Sequence, residues 1–206
     1  MATSVTTALR RGELVYDRVF DDVFPLAVRR ASSVHWTPVE VAVRAAKLLA
    51  DGVAQPVILD VGAGIGKFCA IAAATVQATV KGVEHRAHFV QIARAAAQKL
   101  GVDVEYAHGT LADHDPATVN GVYMFNPFGE NLAAREDCLD DTVELGRDVF
   151  WRDVAATERF LHRAKPGTRV VTYCGWGGSM PRGYELVLRE RCAGLLELWR
   201  KSARAR

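Results

Sequence analysis

Val57-Ile58-Leu59-Asp60-Val61-Gly62-Ala63-Gly64-Ile65-Gly66 is an apolar run that passes through three alternate glycines into the helical pattern Lys67–Ala74. It reads as a buried strand, a tight turn and a helix. Glycine lets the backbone turn sharply and approach a ligand with no Cβ in the way. In open α/β sheets the ligand crevice lies beyond the carboxyl ends of the strands, where this turn falls. Dinucleotide-binding loops use Gly-x-Gly-x-x-Gly, which leaves room for a pyrophosphate at the helix N-terminus. Here the spacing is Gly-x-Gly-x-Gly and Asp60 stands just ahead of it. A carboxylate there repels a pyrophosphate but can help hold an ammonium group, directly or through water. Glu84 ends the next apolar run, Thr79–Glu84, where an acidic side chain can accept both hydroxyls of a ribose.

Outward from this loop, short apolar runs alternate with helical patterns. Arg86–Leu100 is amphipathic, with Phe89, Ile92, Ala93, Ala96 and Leu100 at helical spacing, and Gly101 stops it. Strands are expected at Val102–Ala107, Gly121–Phe125 and Arg169–Cys174, and a helix at Asp148–Ala164. Such an alternation predicts an α/β fold with a mostly parallel sheet and helices on both faces. The alternation breaks at Tyr184–Cys192 and Leu195–Lys201, separated by Ala193-Gly194 alone; so short a connection joins only antiparallel neighbours. Upstream, residues 1–12 read as loose, a helical period starts at Glu13 and is interrupted at Pro25, and a second helix begins at Thr37-Pro38 and ends at Gly52.

The 206 residues suit one domain of ordinary globular composition, and a net charge of +2 does not by itself imply a polyanionic partner. Cys69, Cys138, Cys174 and Cys192 lie far apart, which argues against a structural zinc site and a disulfide framework and suits a reducing cytoplasm. No signal peptide and no membrane span are expected, because the apolar stretches are strand-length and broken by charges.

Val57–Ala73 resembles the first motif of the class I S-adenosylmethionine-dependent methyltransferases, and Val80–Glu84 their second. The resemblance runs from about Thr37 to Lys201. It implies a Rossmann-like, seven-stranded sheet closed by an antiparallel hairpin, with S-adenosylmethionine as cofactor. On that likeness the chain is one methyltransferase domain over 1–206: a helical cap at 1–36, a catalytic core at 37–201 and a basic tail at 202–206. Asp60, Gly62, Gly64 and Gly66 would surround the methionine half, Glu84 the ribose, and Thr110 and Leu111 the adenine. Many relatives carry an aspartate where Thr110 stands.

Asn126-Pro127-Phe128, at the end of the fourth strand, resembles the Asn-Pro-Pro-Tyr/Phe signature of amino-group methyltransferases, although the second proline is missing. Carried over, Asn126 and the Pro127 carbonyl orient an acceptor nitrogen and Phe128 walls it. His35-Trp36-Thr37-Pro38 resembles the Tyr/Phe-Thr-Pro segment in which the threonine reaches the methionine carboxylate; a plain helix cap accounts for Thr37-Pro38 equally well. Glu130 is a candidate acceptor of a proton from an amine, or a helix-start carboxylate. His85 and His88 make no convincing metal site. Arg135–Arg147 suits a lid or exposed connection, and Tyr16, Phe20 and Phe24 either cover the acceptor or pack in the core. A small molecule or protein is expected as acceptor ahead of nucleic acid: sequence-specific DNA modification is not expected, since no recognition domain remains beside the core, while a structured RNA stays open. An O-methyltransferase, a nicotinamide-dependent oxidoreductase and a non-catalytic binding module stand as the alternatives.

Overall fold

The computed structural model describes residues 2–203. Seven strands form one sheet: β1 (Val57–Val61), β2 (Thr79–Glu84), β3 (Glu105–His108), β4 (Gly121–Phe125), β5 (Arg169–Tyr173), β6 (Tyr184–Cys192) and β7 (Gly194–Lys201). Their order is β3-β2-β1-β4-β5-β7-β6. The first five run parallel, and β7 pairs antiparallel with both β5 and β6. Ala193, at φ +59, makes the turn of the closing hairpin.

Successive strand residues face opposite sides, so each apolar strand feeds two cores. Ile58, Val80, Tyr123 and Val171 pack beneath the helices α1 (Ala2–Arg10), α5 (Val39–Ala50), α6 (Lys67–Thr75) and α7 (Ala87–Leu100). Leu59, Val61, Val83, Val122, Met124 and Val170 face α8 (Arg147–Arg163). This is the Rossmann-like architecture that the resemblance implies, with the helices on both faces that the alternation predicts.

Three expectations are corrected. Residues 1–12 are not loose: Ala2–Arg10 is helical, and Val5 and Leu9 are buried against α6 and α7. The helix expected between Glu13 and Pro25 starts only at Asp17, as α2 (Asp17–Phe20) and a 3-10 turn over Asp21–Val23; beyond Pro25 follow the short helices α3 (Leu26–Arg29) and α4 (Ser32–His35). Strand β3 starts later than Val102. Gly101 ends α7 at φ +64 and the Val102 amide donates to Ala97 O, so that residue closes the helix end rather than opening a strand. Residues 204–206 of the expected basic tail lie outside the described residues. Lys201 belongs to β7, and its ammonium donates to the carbonyls of Leu161 and His162.

Candidate active site

A cleft of about 670 Å³ opens at the carboxyl ends of β1, β2 and β4. Gly62 (φ +72) and Gly64 (φ +55) line its floor in backbone conformations that favour glycine. The amides of Gly62 and Ala63 both donate to Val83 O at 3.0 Å, which stitches the loop to β2. Neither glycine has room for a side chain. A Cβ on Gly62 would meet Pro127 at 2.9 Å, and one on Gly64 would meet the Trp36 ring at 2.5 Å. Gly66 (φ +79) is different: a Cβ there would strike Ala93 at 2.8 Å and the Tyr106 ring, so its lack of a side chain serves packing rather than the cleft.

Glu84 is buried at the edge of the cleft, one oxygen accepting the Gly64 amide and the other the Arg86 amide, both at 2.8 Å. Each carboxylate oxygen retains a second lone pair for a ligand hydroxyl. Thr110 and Leu111 line the same cleft, and Thr110 closes a capping box with Asp113, whose carboxylate takes the Thr110 amide at 2.9 Å.

Asp60 and Thr37 are not brought to the cleft. Asp60 is 3% exposed and lies behind the loop, where Cys69 Sγ–H donates to it at 3.3 Å. Burial, opposed by that bond and reinforced by Glu84, pushes its pKa up to about 7. Thr37 is buried too; its hydroxyl pairs with the Tyr123 hydroxyl at 2.9 Å and makes no helix cap. The residues before it do reach the cleft: Val34, His35 and Trp36 form one wall. Trp36 is held by its indole N–H on Val28 O (3.1 Å) and by an edge-on contact with Phe89 at 5.6 Å. Phe20 and Phe24 pack in the core and Tyr16 is exposed, so none of these aromatics covers the cleft.

Two charged clusters, both invisible to local motifs, hold the surroundings in place. Lys67, the first residue of α6, is 2% exposed, with its ammonium 2.6 Å from Asp17 and 2.7 Å from Asp21. Asp17 also accepts the Val39 amide at the start of α5, and Asp21 accepts the Ser32 hydroxyl. The helix after the glycine loop is thereby tied to the segment that carries the Val34–Trp36 wall. Arg86, likewise buried, donates to Glu130 and Asp140, each at 2.9 Å. Glu130 also accepts the Leu139 amide at 2.5 Å, and His88 sits 3.1 Å from Asp140. Both bonds fall on Glu130 Oε1, which anchors the 135–147 connection and sets the carboxylate against the Arg86 guanidinium. Desolvation by itself would raise the Asp140 pKa, but bonds from Thr142 and Arg86 bring it down to about 2. Among the described residues, no group of three or more His, Cys, Asp or Glu side chains is placed to hold a metal ion.

Asn126, Pro127 and Phe128 all line the cleft. Asn126 follows β4 at φ +38, fixed by its amide on Gly175 O (3.0 Å) and by Gly129, whose amide donates to Asn126 O at 3.1 Å. No Cβ would fit on Gly129, because the Asn126 side chain occupies that space, with Cγ 2.8 Å away. Among the described residues the side-chain amide of Asn126 has no hydrogen-bond partner, so its carbonyl and NH2 are available to a ligand.

Residues 58–144 match a family described as a methyltransferase domain. Among solved structures, the chain is similar to an RNA methyltransferase from Salinibacter ruber in complex with S-adenosyl-L-homocysteine, at 21% identity and TM-score 0.61, over 82% of this chain and 95% of that one. It is also similar to TrmN from Thermus thermophilus, at 20% identity and TM-score 0.57, over 86% of this chain and 53% of that one. No curated protein matches it in sequence. The strand order, the closing hairpin and the glycine loop agree with the methyltransferase-domain match and support a class I S-adenosylmethionine-dependent methyltransferase. The match supports S-adenosylmethionine as the cofactor. The residues present fit that group: a glycine turn at positive φ lining the cleft, packed against Pro127 and Trp36, and an anchored carboxylate with lone pairs to spare.

Proposed function

We propose that the chain transfers a methyl group from S-adenosylmethionine to a nitrogen of a neutral, planar acceptor. In this reading Gly62 and Gly64 lie under the methionine half of the cofactor, Glu84 takes the ribose, and Thr110 and Leu111 flank the adenine. Asp60, Gly66 and Thr37 act from behind: the first two shape the loop from inside, and Thr37 braces β4 through Tyr123. Asn126 and the Pro127 carbonyl accept hydrogen bonds from the acceptor NH2, and Phe128 packs on its face. The bound cofactor supplies a methyl on a positively charged sulfur, so the protein's share is alignment and exclusion of water.

The observation that carries this reading is Asn126, held in a left-handed conformation at the cleft with an unengaged amide. Non-glycine residues in such conformations cost energy and persist where the surroundings impose them, commonly at functional sites. Glu130 is already paired with the Arg86 guanidinium, which disfavours a cationic aliphatic amine in need of an unpaired carboxylate. The acceptor is a small molecule or a protein amide; an RNA base presents the same NH2 chemistry and belongs in the acceptor panel. The four free cysteines support placement in a reducing cytoplasm. Among the described residues no helix is long and apolar enough to cross a membrane.

The test is release of S-adenosylhomocysteine across a panel of heteroaromatic amines, primary amides, protein extract and RNA, followed by Asn126→Gly with the acceptor found. Glycine suits φ +38, so folding is spared. The expected result is unchanged cofactor affinity with turnover reduced about 100-fold. Full turnover in Asn126→Gly removes Asn126 from the mechanism.

A further inference from the structure

We infer that His35 accepts the proton released when the acceptor nitrogen is methylated, an inference that rests on the nitrogen-transfer reading above. Methylation forms the N–C bond as the C–S bond breaks, and the electron pair of that bond goes to sulfur. The nitrogen, having donated its lone pair, then carries a positive charge and an extra proton. That proton must leave, and a side chain in the cleft is the nearest place for it.

The polar groups around Asn126 narrow the choice. Both oxygens of Glu84 are bonded to backbone amides. Glu130 is bonded to Arg86 and to the Leu139 amide. His85 faces Arg86 Nη1 at 3.0 Å and Glu84 at 3.6 Å. Asp153 is paired with Arg152 on α8, and Asp137 stands on the exposed 135–137 turn. His35 differs from all of these. It lines the cleft half-buried, and among the described residues neither ring nitrogen has a hydrogen-bond or ion-pair partner.

Its position joins the two halves of the site. His35 ends α4 and its ring stands 6.1 Å from that of Trp36, the residue that covers Gly64 of the cofactor loop. From the acceptor side its charged neighbours are Glu130 and Arg86. Burial lowers its pKa, Glu130 opposes this and Arg86 adds to it, so the net direction is down. The ring is thus neutral at pH 7, with a lone pair ready to receive a proton.

S-adenosylmethionine and S-adenosylhomocysteine are themselves the probes, since they differ by a methyl group and one positive charge on sulfur. A protonated His35 beside that centre repels the first and not the second. Calorimetric titration of both ligands between pH 8 and pH 5 is expected to show the affinity ratio falling about tenfold against S-adenosylmethionine in the wild type. Measured in an Asp60→Asn background, which removes the titration of that carboxyl near pH 7, the ratio should stay flat in His35→Gln and fall in His85→Gln. With the acceptor from the release screen, His35→Gln should lower kcat about 100-fold and abolish the acid limb of its pH profile, with KM for S-adenosylmethionine unchanged. A pH-independent wild-type ratio, or a His35→Gln ratio that still falls, overturns the placement of His35 at the reacting centre. An unaltered kcat profile overturns its role as proton acceptor. Failure of both ligands to bind would overturn the cofactor reading itself, a separate result.

Discussion

Asp60 illustrates how a residue can serve a site it does not touch. It lies two positions before Gly62, faces inward, and holds its proton up to about pH 7 because it is desolvated. The unfolded chain releases that proton near 3.8, so between these values the folded state binds more protons. Stability therefore declines as pH rises from about 4 to 7, and the displacement corresponds to about 4 kcal/mol. Asp60→Asn cannot ionise and should escape the decline. The difference between its thermal midpoint and that of the wild type is expected to widen in its favour by about 10 °C from pH 4 to pH 8. Parallel curves for the two proteins would show that Asp60 does not titrate in this range. The sequence makes Asp60 conspicuous by position, but which way its side chain turns depends on Cys69, supplied by the next helix.

At the scale of elements, strand and helix periodicity was sufficient for the sheet, its closing hairpin and the glycine loop, because each is written in contiguous residues. The N-terminal elements were not legible in the same way. Helix α1 buries Val5 and Leu9, a short apolar face among threonines, and gains its stability from α6 and α7, which come much later in the chain. The Lys67 cluster joins Asp17 and Asp21 to a residue 50 and 46 positions away, a pairing no local pattern announces. It also explains why the wall of the cleft comes from Val34–Trp36 and not from Thr37, whose hydroxyl is spent on Tyr123. Lys67→Met leaves Asp21 buried without its cation and should cost about 3 kcal/mol in urea denaturation, the low end for a broken buried pair because Asp17 is half exposed. It should also loosen Trp36 over Gly64 and weaken S-adenosylhomocysteine binding; undiminished stability would mean that the cluster holds nothing in place.

Across the whole molecule, the N-terminal segment and the sheet share a core: Leu9, Phe20, Phe24 and Trp36 lie in one cluster with Ile58 and Tyr123. The site is correspondingly a seam. Its floor comes from β1 and β2, one wall from the N-terminal segment, and its acceptor edge from the end of β4, with Arg86 and Lys67 as the two charged fasteners. What this architecture claims above all is that the Gly62–Gly64 turn is shaped to receive a nucleoside bearing an amino acid. Calorimetric titration with S-adenosylhomocysteine tests that most directly, in the wild type and in Gly64→Val, where a side chain would enter the space of the Trp36 ring. Saturable binding at one site per chain is expected in the wild type and none in the variant. No binding by the wild type, or equal affinity in the two proteins, would contradict it.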